Sequence, residues 1–485
     1  MSNQTSRKGF VSNFIWRLAE RSGAQLVAFV VSVVLARILD PSVYGTIALI
    51  TVFTTILQVF VDSGLGNALI QKKDADDVDF STVFYTNIVF CSVLYGLIFL
   101  CAPLIARFYN DMSMVWLVRV LSLTVLISGV KNVQQAYVSR NMLFKRFFFS
   151  TLGGTIVAAV AGIVMAMKGF GVWALVAQQV INLLIDTCIL WITVRWRPKK
   201  VFSWERLKGL FSYGWKLLVS SLLDTVYNDL RQLIIGKMYS GEDLAFYNKG
   251  KQFPNLVVNN INTSIDSVLL PSMSNVQDDR DHVKSMTRRS ITVSIYTMAP
   301  MMMGIAFVAE PLISLLLTDK WLPCVPFLRI FCITYMFRPL HAANLNAIKA
   351  MGKSDLFLKL EIEKKLVGMA LLLSTMWFGV MAMVYSMFVS SICSQLINAE
   401  PNKKLLGYGY AAQIKDMLPS ILLSLAMGVC IFPLKYLPLH NAVILLMQVT
   451  LGGILYLVGS KVFKLESFEY IMGMAKPMLA KIKKF

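Results

Sequence analysis

The sequence predicts an all-α polytopic membrane protein. It has about fourteen transmembrane helices, in two six-helix bundles related by pseudo-two-fold symmetry, with two additional C-terminal helices. Three observations lead there. Apolar stretches fill nearly the whole chain, each near the roughly 20 residues needed to cross a hydrocarbon core of about 30 Å. Lys and Arg gather in every second connection, and fragments of the first half recur about 200 residues later. Lipid offers no hydrogen-bond partner to a peptide group, so a spanning segment must satisfy its own backbone, as a helix does.

Composition narrows the function classes. With 485 residues, 56% hydrophobic and only 15% charged, the chain is too apolar for a soluble enzyme of this size. The net charge of +20 would suggest a nucleic-acid partner in a soluble protein. Here it follows from the enrichment of cytoplasmic loops in Lys and Arg, and no nucleic acid is implied. The three histidines are scattered and the seven cysteines show no metal-ligand spacing. Those cysteines read as small buried hydrophobes. The acidic run Asp74, Asp76, Asp77 and Asp79 reads as a solvated cytoplasmic loop rather than a metal cluster.

The expected spans run Val11 to Arg37, Val43 to Val61, Phe80 to Ala106, Ser113 to Gln135, Ser150 to Met167 and Val172 to Val194. A second set follows: Leu210 to Gly236, Leu244 to Leu270, Ser290 to Leu317, Leu322 to Ile348, Leu356 to Phe378 and Val380 to Ile397. Met417 to Phe432 and Asn441 to Val458 complete it. The amino terminus, the even-numbered connections and the tail hold most of the 47 Lys and Arg, which places both ends in the cytoplasm. The odd-numbered connections are short and plain. No cleavable signal is expected, because residues 1–10 are polar and the first span is too long for a signal core. Ala136 to Phe147 mixes basic and aromatic residues, suiting either a helix lying in the cytoplasmic interface or an extension of the fourth span.

Arg37 to Asp40 followed by Val43-Tyr44-Gly45 echoes Lys237 to Ser240 followed by Ala245-Phe246-Tyr247, and Asp62 answers Asp266. Six spans per copy is an even number, so both copies enter the membrane with the same orientation. The expected division is residues 1–200 and 201–405 for the two bundles, 406–460 for two additional helices and 461–485 for a basic cytoplasmic tail.

Ionisable residues inside spans cost about 2.5–3.5 kcal/mol each on insertion scales, so they face a cavity or a partner. In the first span Asn13, Arg17, Arg21 and Gln25 recur every four residues, on one helix face, with Glu20 beside them. In the seventh, Lys216, Ser220, Asp224 and Asn228 do the same, and Arg231 continues the line. The second and eighth carry Thr51, Thr55, Gln58 and Asp62, then Asn255, Asn259, Asn262 and Asp266. The tenth adds Arg329, Arg338, His341 and Asn344, with Pro339 set to kink it. Converging, these faces would line a wet, cationic chamber; the alternative is snorkelling of Arg17 and Lys216 to the interface and amide contacts between helices. Glu20, Asp62, Asp224, Asp229 and Asp266 are the acids placed to bind a proton or a sodium ion, and no other cofactor is implied.

Ala19-Glu20-Arg21-Ser22-Gly23-Ala24-Gln25, then Leu35 to Pro41 and Tyr44-Gly45, resemble bacterial polysaccharide-transporter flippases. These are the Wzx-type exporters of O-antigen, capsule and exopolysaccharide units, within the multidrug/oligosaccharidyl-lipid/polysaccharide superfamily. Asp62 to Gln71, Tyr247-Asn248-Lys249, Phe253-Pro254, Leu270-Pro271 and Ala350 to Asp355 are similar to further family stretches, so the resemblance covers about residues 10 to 415. It implies transport of undecaprenyl-diphosphate-linked oligosaccharides across the bacterial inner membrane by alternating access, with membrane lipids and the polymerase and export machinery as partners, and no catalytic residue. A diphosphate carries about two negative charges, and guanidinium forks match its oxygens two at a time. Two other classes are weighed against it. A drug antiporter of the same superfamily would want acidic groups in a smaller aromatic pocket. A membrane glycosyltransferase or polymerase would want catalytic loops outside the membrane.

Overall fold

The computed structural model describes residues 23–62 and 64–473, with the backbone alone at 213, 263, 264 and 266–268. Among the described residues the chain is helical throughout and has no strand. The first half comprises α1 (Gly23–Ile38), α2 (Pro41–Asp62), α3 (Leu65–Gln71), α4 (Asp77–Phe108), α5 (Met114–Leu121), α6 (Leu123–Arg140), α7 (Phe144–Met167) and α8 (Val172–Thr193). Then come α9 (Trp204–Met238), α10 (Gly241–Ser274), α11 (Arg280–Phe307), α12 (Ala309–Leu317), a 3-10 turn (Asp319–Cys324), α13 (Val325–Met336) and α14 (Arg338–Ala350). The chain closes with α15 (Ser354–Thr375), α16 (Val380–Leu406), α17 (Tyr410–Ile431), a second 3-10 turn (Phe432–Tyr436) and α18 (Asn441–Val462).

Every expected span falls on one of these helices or on a broken pair, although residues 1–22 of the first lie outside the described residues. Among the described residues ten candidate segments are long and apolar enough to cross a membrane. The helices that miss that measure include α9, α10 and α15, each interrupted by charged or amide side chains within the span. Two spans are broken at matching places. The fourth divides at Ser122 between α5 and α6, and the tenth at Phe337 between α13 and α14, where Pro339 sits in the first turn of the new helix. Ala136 to Arg140 continue α6, and Phe144 opens α7, so this stretch forms no interfacial helix of its own.

The chain forms two compact units, Met1–Ala245 and Phe246–Phe485. In the first, α9 packs along α2, α3 and α4, so the seventh span sits with this unit. The connection before it, expected as a basic loop, is an extended strap pinned to the unit. Trp196 is buried against Phe80, at 5.7 Å between ring centroids, and stacks on Tyr137 at 6.3 Å. Its indole Nε1 donates to Asp77 at 3.2 Å, and its carbonyl accepts from Gln134. Lys199 N donates to Ser81 Oγ at 2.9 Å and Ser203 N to Thr82 Oγ1 at 3.2 Å.

The acidic run is not merely solvated. Asp76 caps α4 by accepting from the amides of Val78 and Asp79, and Asp79 returns the bond to the Asp76 amide. Asp79 is fully buried and takes Lys72 Nζ at 2.7 and 2.8 Å. The Arg206 guanidinium hydrogen-bonds Asp76 and holds its carboxyl down at about 2, below the usual carboxylate range. The cysteines also divide: Cys91, Cys324 and Cys332 are buried, whereas Cys101, Cys188 and Cys430 lie exposed on helix surfaces.

α7 and α8 pack closely because α7 presents Gly154, Ala158, Gly162 and Ala166 at four-residue spacing, and small side chains let backbones approach. In the second unit α17 and α18 are tied to α11. Tyr456 Oη donates to the Tyr296 carbonyl at 2.7 Å, and Arg288 grips Asp416 with two bonds at 2.9 and 3.2 Å. The tail begins as a helical segment at 466–473, where Glu466 meets Arg288 and the Tyr470 ring lies 4.5 Å from the Arg289 guanidinium.

A Cβ at Gly154 would lie 2.8 Å from the Asn182 carbonyl oxygen and 3.1 Å from Asp186 Cβ. Overpacking of this kind costs about 1–3 kcal/mol. Gly154→Leu is expected to lower the thermal midpoint of the detergent-purified protein, while Gly96→Leu, which meets no neighbour, leaves it unchanged.

Candidate functional site

Each unit carries a layer of polar side chains within its helices. In the first unit, Lys131 on α6 meets Asp186 on α8 at 2.5 Å, Nζ to Oδ2, and both side chains are buried. Asp186 Oδ1 has no hydrogen-bond partner among the described residues. Beside the pair, Asn132 Nδ2 donates to the Val61 carbonyl at 3.2 Å and Asn87 Nδ2 reaches Asn132 Oδ1 at 3.4 Å. Asp62, at the end of α2, accepts from Gln58 at 3.0 Å, with Asn132 and Lys131 as further neighbours. Lys131 stands nine residues before the end of α6 at Arg140, about 13 Å along the helix axis at 1.5 Å per residue.

The second unit repeats the arrangement with neutral groups. His341 stands nine residues before the end of α14 at Ala350, and its Nδ1 lies 3.0 Å from Asn398 Nδ2 on α16. The fourth span is thus braced to the sixth by an ion pair, and the tenth to the twelfth by an imidazole–amide contact. Nearer the ends of these helices, Asn344, Asn402 and Gln413 form a buried amide knot: Asn344 and Gln413 exchange bonds at 2.9 Å, and Asn402 donates to Asn344 Oδ1 at 2.8 Å. Arg338 is exposed and lies 4.5 Å over the Tyr335 ring. On α15, Lys364 pairs with Glu361 at 2.6 Å.

The sequence-derived residues are distributed as follows. Arg17, Glu20 and Arg21 lie outside the described residues, as does the side chain of Asp266. Gln25 is half-buried on α1. Lys216, Ser220, Asp224 and Asn228 form an exposed row on α9, followed by a half-buried Arg231 whose Nε has no hydrogen-bond partner among the described residues. Asn259 is exposed on α10 and Asp62 on α2. Arg329 does not join Arg338; it pairs with Glu310 at 2.8 Å beside Lys435. Lys131, Asp186, Asn398, Glu361 and Lys364 were not singled out from sequence. Lys131 falls four residues before Gln135, where the fourth span was expected to end, and α6 runs on to Arg140. Gln178, Asn182 and Asp186, four residues apart on α8, were the readable signal for the other partner.

These helices, with polar layers held inside apolar walls, define a multi-pass integral membrane protein with an all-α fold. The family described as "Polysaccharide biosynthesis protein" matches residues 34–326, and the chain belongs to it. It is 26% identical over 420 residues to the teichuronic acid biosynthesis protein TuaB of Bacillus subtilis (strain 168), covering 83% of this chain and 85% of that one. It is 23% identical over 334 residues to the succinoglycan biosynthesis transport protein ExoT of Rhizobium meliloti (strain 1021), covering 69% and 68%. Among solved structures, the lipid II flippase MurJ in an inward closed conformation superposes with a TM-score of 0.76 at 14% identity, over 93% of this chain and 98% of that one. That likeness fixes the fold.

Removing one partner of a buried ion pair leaves an uncompensated charge, at a cost of about 3–5 kcal/mol, whereas replacing both is often neutral. Lys131→Met and Asp186→Leu, made singly, are expected to reduce the yield and thermal midpoint of folded protein. The double variant is expected to recover most of both, read by thermal unfolding in detergent.

Proposed function

We propose that the protein is a flippase that carries polyprenyl-diphosphate-linked oligosaccharide units across the bacterial inner membrane by alternating access. Membership of the polysaccharide biosynthesis family carries this reading. The relatives' printed names, a transport protein for succinoglycan and a biosynthesis protein for teichuronic acid, support it. So does a fold shared with a lipid II flippase. The exposed row Lys216, Ser220, Asp224 and Asn228 on α9, with Gln25 and the sequence positions Arg17 and Arg21, supplies the cations and amides such a headgroup needs. Among the described residues neither polar layer includes a reactive constellation suited to bond cleavage, so the proposed work is movement rather than chemistry.

Both termini are cytoplasmic in this reading, from the distribution of Lys and Arg. Asp62, grouped with Gln58, Asn132 and Lys131, is the acid we assign to ion coupling. Asp224 keeps its place among the alternatives, with Glu20 and Asp266 as sequence positions only. The polymerase and export machinery are the partners this function calls for.

In cells that make the cognate glycan, Arg21→Ala, Arg21→Glu and Asn228→Leu are expected to abolish or strongly reduce surface polymer while leaving the amount of inserted protein near normal. Normal surface polymer from stably inserted variants would defeat the assignment. Asp62→Asn is expected to uncouple export from the ion gradient: residual export becomes insensitive to a protonophore or to sodium removal. Unchanged ion dependence would remove Asp62 from coupling.

A further inference from the structure

The odd-numbered connections are less plain than their sequence suggests. In the second unit, α12, the start of α13, the two 3-10 turns and the first residue of α18 line an open cavity of about 540 Å³. That is within the roughly 300–1,000 Å³ typical of small-molecule sites. The two turns fall at the ninth and thirteenth connections, and α12 and α13 are the span ends beside the ninth, on the face opposite the termini in the expected topology.

The cavity is built around one carboxylate. Glu310 Oε1 takes Arg329 Nη2 at 2.8 Å, and Oε2 takes Lys435 Nζ at 2.9 Å, so two cations from separate elements, α13 and the second 3-10 turn, are fixed by one acid. Arg329 is also anchored by Nε to the Ala306 carbonyl at 3.2 Å. On the other wall Asn441 donates to Ser314 Oγ at 3.1 Å, and Ser314 donates in turn to Asp319. Arg329 Nη1, the second Asp319 oxygen and the Asn441 amide oxygen have no protein hydrogen-bond partner among the described residues. The Tyr436 ring stands at the rim, 72% exposed, with Lys435 Nζ 4.9 Å from its centroid.

Two cations and two anions cancel, which makes this a poor site for a diphosphate: Asp319 and Glu310 would oppose it. The unused donors and acceptors suit hydroxyl groups, each of which gives one hydrogen bond and accepts two. An exposed aromatic ring beside them offers a flat apolar face for the C–H side of a sugar. We propose that this cavity is a saccharide site on the outer face that receives the glycan head of the cargo after translocation, distinct from the α9 row that takes the diphosphate. The proposal rests on the flippase reading for its cargo and orientation, but the site itself stands on its own geometry.

The test uses full-length protein in nanodiscs. The probes are the oligosaccharides released from the producing cells' own surface polymer and freed of phosphate, and inorganic pyrophosphate. The oligosaccharides are expected to bind saturably by calorimetry, with affinity reduced at least tenfold in Tyr436→Ala and in Asn441→Leu and unchanged in Asn228→Leu. Pyrophosphate is expected not to compete. Absence of oligosaccharide binding, binding indifferent to Tyr436→Ala, or competition by pyrophosphate would each overturn it. Loss of export in Tyr436→Ala without any saccharide binding would instead assign the cavity to a protein partner and also overturn it. Asn228→Leu separates the two ideas. If that variant exports normally while the oligosaccharides still bind at Tyr436, the α9 assignment fails and the saccharide site survives. Normal surface polymer from cells lacking the protein, with the oligosaccharides still bound at Tyr436, would defeat the flippase reading and leave the saccharide site standing.

Discussion

A charge within a membrane-spanning helix needs a partner, and Lys131 with Asp186 shows how far that requirement organises this chain. Each end of the pair comes from a different helix, so α6 and α8 are set in register by electrostatics rather than by shape. Apolar packing alone discriminates weakly in lipid, where the surrounding chains are as apolar as the side chains. The small-residue face of α7 completes the arrangement by letting α8 approach closely enough for Asp186 to reach across to α6. The second unit solves the same geometric problem with His341 and Asn398, which need no countercharge. Two copies of one architecture therefore differ in chemistry at equivalent points, and only the first holds an ion pair there.

Much of the architecture was legible in the sequence because lipid imposes a length and a hydropathy on every span. The positions of α4, α7, α8 and α18 follow directly from that, and the Pro339 break is a backbone consequence of a missing amide. What was not legible depended on helix ends and on partners distant in sequence. Lys131 drew no notice because its partner Asp186 lies 55 residues on, on another helix. Asp79 looked solvated because nothing local announces that Lys72 and Arg206 will fold over it. The strap from 194 to 203 carries the composition of a flexible basic loop, yet Trp196 finds an aromatic cluster formed by α4 and α6.

The same limit applies to the candidate site. Four-residue spacing identified the α9 row, since it is a property of one helix. It could not separate Arg329 from Arg338, because the break at Phe337 turns the two halves of the tenth span and Glu310 captures Arg329. Nor could it anticipate the outer cavity, which five segments build jointly and none implies alone.

The pinned strap has a mechanical meaning. A slack tether would let α9 drift from α4 without cost, and any rearrangement of one would be lost on the other. Here the tether is fastened along its length through Trp196, Lys199 and Ser203, so displacing the start of α9 requires prising an indole from its aromatic bed and stripping several backbone bonds. A shift of α4 at that end is therefore handed on to a 35-residue helix as a push on its first turn.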